Sequence, residues 1–189
     1  NSYLVLVVKK PGLITDFQAR IFSVASYLLI SNQNVVLSLS DYTHHTSLQY
    51  YPEYEISLGN PLGNFVMLDD SLFVRKFENG IVLVNPSSSI SKRYNLETEY
   101  YKIVPIGGGF VDATGSYDGS LSYEKVNGGI EIPPVSGLVL KDSPATGIDE
   151  HNVLNNNFTL AQNYPNPFNS STVISYQLST DSQVNLCIY

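Results

Sequence analysis

Cysteine, tryptophan and positive charge are what this chain has least of. There is one cysteine, Cys187, in 189 residues, so no internal disulfide forms and no Cys-based zinc site assembles. Cys187 falls in an apolar alternation, where a buried structural thiol is expected. Tryptophan is absent and methionine occurs once. Lysine and arginine total 10 against 17 acidic residues, a net charge of −7. They form no cluster, which speaks against a nucleic-acid or anionic-membrane surface, since both need grouped cations. No apolar run approaches the roughly 20 residues of a membrane span, so no membrane insertion is expected. No secretory signal is recognisable. The chain opens at Asn1 straight into an apolar strand pattern and stops at Tyr189 inside another, which reads as a piece of a longer protein.

What is present is apolar material and tyrosine. Apolar residues make up 43% and charged residues 14%, with 14 tyrosines. That suffices for a packed core and is too little charge for a disordered chain. With frequent Ser, Asn and Gly, it suits a turn-rich β protein outside the cytoplasm.

The run YLVLVV (Tyr3–Val8) has the continuous apolar pattern of a strand covered on both faces. After KKPG, Thr15 and Asp16 are helix-capping residues. Phe17, Ile21, Val24, Ala25, Leu28 and Leu29 then recur at helical spacing. The helix is expected to end near Ser31–Asn32, and VVLSLS (Val35–Ser40) reads as a second buried strand. Strand, helix, strand makes a βαβ unit and implies parallel pairing. It is either the edge of a larger α/β domain or a small α/β piece. From Asp41 to Asn64 the chain is polar, aromatic and turn-rich, and it follows the C-terminal end of a parallel strand, where α/β sheets carry sites.

From Phe65 the period changes to two. LFVRKF and IVLVNP flank ENG, a hairpin signal with Gly80 free to take a positive φ. TEYYKIVP, SLSYEKV, GIEIPP and SGLVLK follow as short β segments punctuated by glycines. Residues 65–141 therefore read as an antiparallel β domain and 142–157 as a polar linker. No internal repeat is present.

The final segment, 158–189, contains FTLAQNYPNPFNSSTVISYQL and then SQVNLCIY. The string Gln162, Asn163, Tyr164, Pro165, Asn166, Pro167, Phe168, Asn169 resembles the opening of the C-terminal sorting domain of the type IX (Por) secretion system. Ser170 departs from the proline usual there, and the family's second half does not follow. The resemblance implies a partial β-sandwich, the type IX machinery as partner, and a secreted or outer-surface destination. Physically, Pro165 and Pro167 fix φ and push Tyr164 and Asn166 away from helix.

A second resemblance covers residues 1–141. FSVASYLLI, YYPEYEISLGNP, VRKFENGIVLVNPSS, the GGG turn and PPVSGLVLK are similar to the end of proteins of the hypothetical glycosyl hydrolase family 15 type. Most of it rests on Arg75, Phe77, Asn79, Gly80 and Val82–Pro86. It implies that 1–64 is the C-terminal end of a (β/α)₈-type barrel, followed by the all-β antiparallel domain, with a polysaccharide or glycan as substrate. Most catalytic residues would then lie before Asn1.

Glycoside hydrolysis needs two carboxyl groups across the sugar. Asp41, directly after VVLSLS, and Glu53, among tyrosines in YYPEYE, are the candidates, although loop capping is the plainer expectation for Asp41. Tyr50, Tyr51 and Tyr54 are candidate sugar-stacking residues, or else they pack the loop. Asp69–Asp70 read as a solvated turn. His44–His45, adjacent in sequence, would point apart in a strand and so share no metal. Asp112 and Asp118 read as turn residues without calcium-loop spacing, and Gly107–Gly109 enter no helix and cradle no phosphate. Arg75 and Glu78 are placed to pair across the hairpin. No metal and no cofactor are expected. The competing functional reading is a non-catalytic extracellular carbohydrate-binding or adhesion protein exported by the same route. No GxSxG motif or Cys/His pair suggests another hydrolase class.

Overall fold

The structure is a computed structural model. It describes residues 4–32, 34–44, 46–68 and 71–144, and in the last segment the strand positions 159–160, 164–169, 171–173 and 176–177. Two compact units result, Asn1–Pro144 and Ala145–Tyr189.

The first unit opens with β1 (Leu4–Lys10), α1 (Phe17–Ile30) and β2 (Val35–Asp41). β1 and β2 pair in parallel from Leu4↔Val35 to Lys10↔Asp41. Asp16 caps α1, its carboxylate accepting from the Ala19 N–H at 2.9 Å. After β3 (Gln49–Tyr50) come β4 (Val66–Met67), β5 (Phe73–Phe77) and β6 (Gly80–Asn85). β7 (Lys92–Asn95), β8 (Tyr100–Val111), β9 (Tyr117–Val126), β10 (Gly129–Ile132) and β11 (Ser136–Lys141) complete the unit. Seven of these strands form one sheet in the order β3-β8-β11-β6-β5-β4, with β9 on β8, while β7 and β10 pair as a separate ribbon. Every ladder in both is antiparallel.

Strand periodicity sorts the core onto two faces. Val82, Val84 and Val139 face α1, packing with Ala25 and Leu29. Ile81, Leu83 and Leu140 face the other way, onto Ile132, Tyr94 and Ile130 of the ribbon. The result is a sandwich-like, sheet-rich unit with a helix on one face. A third cluster, Leu13, Val24, Leu39 and Tyr51, joins the other flank of α1 to β2.

This corrects the expectation of a barrel end over residues 1–64. The parallel pairing is present, but it is a lone two-stranded sheet. It is not covered on both faces: Leu4, Val5 and Val7 are each about half exposed. The only α-helix among the described residues lays its buried side on the antiparallel sheet. The contact is close because Gly137 lacks a side chain. A Cβ there would sit 2.5 Å from the Ala25 Cβ.

The β5–β6 hairpin forms at ENG, with Phe77 opposite Gly80. Gly80 does not take a positive φ. It is needed for close approach instead, since a Cβ would meet the Leu140 carbonyl at 2.2 Å. Arg75 and Glu78 do not pair. Arg75, 7% exposed, donates Nη1 to the Leu28 and Ser31 carbonyls at 2.9 and 3.0 Å, so a sheet residue caps the end of α1. Burial lowers its pKa. Glu78 accepts from the Asn60 N–H at 2.8 Å, which lowers its carboxyl pKa.

In the second unit, β12 (Thr159–Leu160) pairs with β15 (Tyr176–Gln177), and β13 (Tyr164–Asn169) pairs with β14 (Ser171–Val173), all antiparallel. Pro165 and Pro167 both lie in β13. Two residues apart on a strand, they remove N–H donors from the same edge, and the β13–β14 register is irregular between Tyr164 and Asn169. Gln162, Asn163 and Cys187 lie outside the described residues. Among the described residues no helix is long and apolar enough to cross a membrane.

Candidate functional site

The loop after β2 is where the sequence places its candidates, and the chain there folds into two short turns. A 3₁₀ turn at Tyr42–His44 leads through β3 to another at Pro52–Glu55. Pro52 opens the second turn, where its fixed φ suits a helical start.

That turn drives Glu53 into the interior. Its side chain and that of Arg20 are both 0% exposed. The pair is bidentate, with Nε to Oε1 at 2.7 Å and Nη2 to Oε2 at 2.6 Å. The remaining nitrogen, Nη1, donates to the carbonyls of Ile14 and Gly107 at 2.8 and 2.9 Å. The guanidinium lies between two rings, 4.8 Å from Phe17 and 4.7 Å from Tyr51. Of the three glycines that follow, Gly108 is the one that abuts this pair. Gly107, Gly108 and Gly109 all have positive φ, and a Cβ on Gly108 would come 2.6 Å from Pro52 Cδ and 3.0 Å from Arg20 Nη2. A Cβ on Gly107 would instead meet the Asp118 carbonyl at 2.5 Å, and one on Gly109 the Ile14 side chain at 2.9 Å.

Asp41 is 1% exposed and caps the Tyr42–His44 turn that follows it. It accepts from the Thr43 hydroxyl at 2.6 Å, the Thr43 N–H at 3.0 Å and the Ile14 N–H at 3.3 Å. The Thr43 hydroxyl bond, followed by those backbone donors, holds its carboxyl far below the usual carboxylate range against the opposing effect of burial. His44 Nδ1 stands 3.7 Å away, a pair only when the imidazole is protonated.

The three tyrosines part company. Tyr51 is 0% exposed, with its hydroxyl on Gln49 at 2.8 Å. Burial pushes its pKa up to about 12, and it cannot meet a sugar. Tyr54 is half-buried, and its hydroxyl accepts from the Leu39 N–H at 2.6 Å. Tyr50 is half-buried and sits against two rings, 5.5 Å from Tyr54 and 4.7 Å from Tyr117. The Tyr117 hydroxyl donates to Glu55, and burial, reinforced by that carboxylate, raises its pKa. The aromatic face that reaches solvent is therefore Tyr50, Tyr54 and Tyr117 with Glu55 at its margin. Glu55 is among the acids that follow β2 in the sequence, whereas nothing in the sequence points to Tyr117. Tyr117 is 62 residues from Glu55 in the chain, and the β3–β8 and β8–β9 ladders together bring them close.

Two carboxylates thus stand where an acid/base pair was sought, and each is consumed by the fold. Glu53 has both oxygens on one guanidinium, and Asp41 is closed over by its own turn. Asp112 likewise closes a hairpin turn, accepting from the Thr114 hydroxyl at 2.6 Å and from the Thr114 and Ser116 N–H groups. His45, Asp69 and Asp70 lie outside the described residues. Among the described residues no group of three or more His, Cys, Asp or Glu is arranged to hold a metal. What remains toward solvent here is the half-buried rings of Tyr50, Tyr54 and Tyr117 and the exposed Glu55 carboxylate.

No protein-family model matches the chain, no curated protein is similar to it, and no solved structure matches its fold.

Proposed function

We propose that this chain is the C-terminal, non-catalytic part of a secreted, glycoside-hydrolase-like protein, and that it holds glycan rather than cleaving it. The Phe158–Tyr189 segment serves as its type IX sorting signal and directs it to the outer cell surface. The observation that carries the non-catalytic part is the state of Glu53. A general acid must reach the glycosidic oxygen and exchange a proton there. Glu53 is sealed from solvent and bonded through both oxygens to Arg20. The glycan reading is supported by the Tyr50–Tyr54–Tyr117 face, since ring faces are apolar platforms and phenol hydroxyls and Glu55 are hydrogen-bonding groups for sugar hydroxyls. The destination is supported by the 162–169 string and by the two prolines on one strand edge.

The test has two independent arms. In affinity electrophoresis against gels of neutral polysaccharides, residues 1–144 are retarded by at least one, and Tyr117→Ala removes the retardation. Unchanged mobility on every gel contradicts the glycan reading. A fluorescent reporter carrying residues 145–189 joined to the second half of a type IX sorting domain reaches the surface of a type IX-competent bacterium. Periplasmic retention contradicts the destination.

A further inference from the structure

β1 and β2 make a sheet of only two strands, so each has an outer edge. The Leu4 N–H donates to the Asn34 carbonyl at 2.8 Å, and the register starts at Leu4↔Val35. Even-numbered residues of both strands therefore turn their backbone groups into the ladder, and odd-numbered ones turn them outward. The two outer edges differ. On β2, Tyr27 Oη donates to the Val35 carbonyl at 3.3 Å, the Leu39 N–H donates to Tyr54 Oη at 2.6 Å, and the Asp41 N–H donates to Gln49 Oε1 at 2.8 Å. Side chains close that edge. On β1, nothing among the described residues bonds the outward backbone groups of Val5, Val7 or Lys9.

The side chains along the open edge reach solvent as well. Val5, Val7 and Lys9 project to one face of the sheet, and Val36, beside Val5 in the register, widens it. The three valines are each about half exposed. Lys9 is exposed and makes no ion pair among the described residues, and its neighbour across the ladder is Ser40. Of the acids at that end, Asp16 is taken by Lys10 at 2.5 Å and Asp41 is closed over by Thr43. An open edge with exposed β-branched residues is a template for another strand. Its occupant must supply donors and acceptors at strand spacing, apolar side chains and a negative charge. An acyl chain lacks the first. β1 of a second copy lacks the last, because it holds no acidic residue, and a two-fold axis at Val7 would set Lys9 against Val5. Lysine on an edge discourages self-pairing and here favours an acid.

We propose that the outer edge of β1 docks an extended segment of a partner protein, added as a third strand with apolar residues opposite Val5 and Val7 and an acidic residue opposite Lys9. The edge lies across β2 from Tyr54, and the proposal does not depend on the glycan reading.

The experiment is an amide NMR titration of the ¹⁵N-labelled chain with two capped peptides, acetyl-Glu-Thr-Val-Thr-Val-amide and acetyl-Val-Thr-Val-Thr-Glu-amide. The first sets its acid opposite Lys9 when it runs antiparallel to β1, the second when it runs parallel. At least one moves the amides of Val5, Val7 and Lys9 saturably, and the tighter of the two reports the strand direction. Its backbone N-methylated analogue, which lacks main-chain donors, binds at least about tenfold more weakly. Lys9→Glu, at an exposed position, weakens binding about threefold or more, and exchanging the peptide's glutamate for lysine restores it on that variant. Decanoate, with a charge and an apolar tail but no peptide group, leaves these amides unmoved. The proposal is overturned if neither peptide moves them, if the N-methylated peptide binds equally well, or if decanoate binds there and the peptides do not. It is also overturned if these amides shift with protein concentration and no peptide competes, which would mean that the edge pairs with a second copy.

Discussion

Removing Glu53 is the perturbation with the largest calculable effect. In Glu53→Ala the Arg20 guanidinium stays where the backbone of α1 puts it, between Phe17 and Tyr51. It keeps its bonds to the Ile14 and Gly107 carbonyls and loses both bonds to carboxylate. A buried charge stripped of its partner costs about 3–5 kcal/mol. For a unit of this size that lowers the melting temperature by roughly 6–20 °C. Taking out both members is different. Arg20→Met with Glu53→Leu removes the charge along with its partner and leaves two carbonyls without a donor, about 1 kcal/mol each or slightly more. The double variant is therefore more stable than Glu53→Ala, and two single changes that would sum to roughly 6–10 kcal/mol collapse to about 2–3 kcal/mol. Circular-dichroism melts and urea titrations of the parent, both singles and the double close the cycle. A Glu53→Ala melting temperature within about 2 °C of the parent, or singles that simply add, refutes the structural role assigned to the pair.

Further expectations concern other sites. Asp41 has a folded pKa below its unfolded value of about 3.9. Its stabilisation is complete above that value and is lost as pH falls through it toward the folded pKa. Melting temperature should drop on acidification below about pH 4, and Asp41→Asn should flatten that part of the profile. Gly137→Ala should cost about 1–3 kcal/mol, because the new methyl meets Ala25 and the backbone at Phe22 and not a flexible side-chain end. Differential scanning calorimetry reads it. Arg75→Met should cost about 1–3 kcal/mol and speed amide exchange in the last turn of α1, whose Leu28 and Ser31 carbonyls lose their donor. Replacing Pro165 and Pro167 together by alanine restores two N–H donors to one edge of β13. In the reporter assay it should lower surface display, and undiminished display counts against the prolines' role.

Local patterns were legible and long-range ones were not. The cap at Asp16, the end of α1 near Ser31, its apolar stripe and the place of the β5–β6 hairpin follow from local spacing, because each is decided within a few residues, although Gly80 serves the hairpin by close approach and not by a positive φ. The run GIVLVN was legible as one arm of a hairpin, but not that every residue in it is buried, with core on both faces of the sheet. What misled was YLVLVV. An apolar run reports that a strand avoids charge, but not which elements lie against it, and here β1 lies half exposed. Nothing near Gly137 announces that α1 will dock on the antiparallel sheet, since that depends on a missing Cβ 112 positions from Ala25. Glu53 illustrates the same limit at the site. An acid among tyrosines is compatible with sugar chemistry and with an ion pair, and the partner that decides, Arg20, is 33 residues away on a helix. The three glycines read as a turn because their neighbours, Asp118, Arg20 with Pro52, and Ile14, are all distant in the chain.

The most direct test of the central claim, that these carboxylates maintain the fold and do no chemistry, is a turnover measurement. Purified chain is incubated with the polysaccharide that retards it, and reducing ends are counted over time. The structure predicts retention with no release above a heat-denatured control. Release that disappears in Glu53→Gln, while that variant melts at the parental temperature, contradicts it.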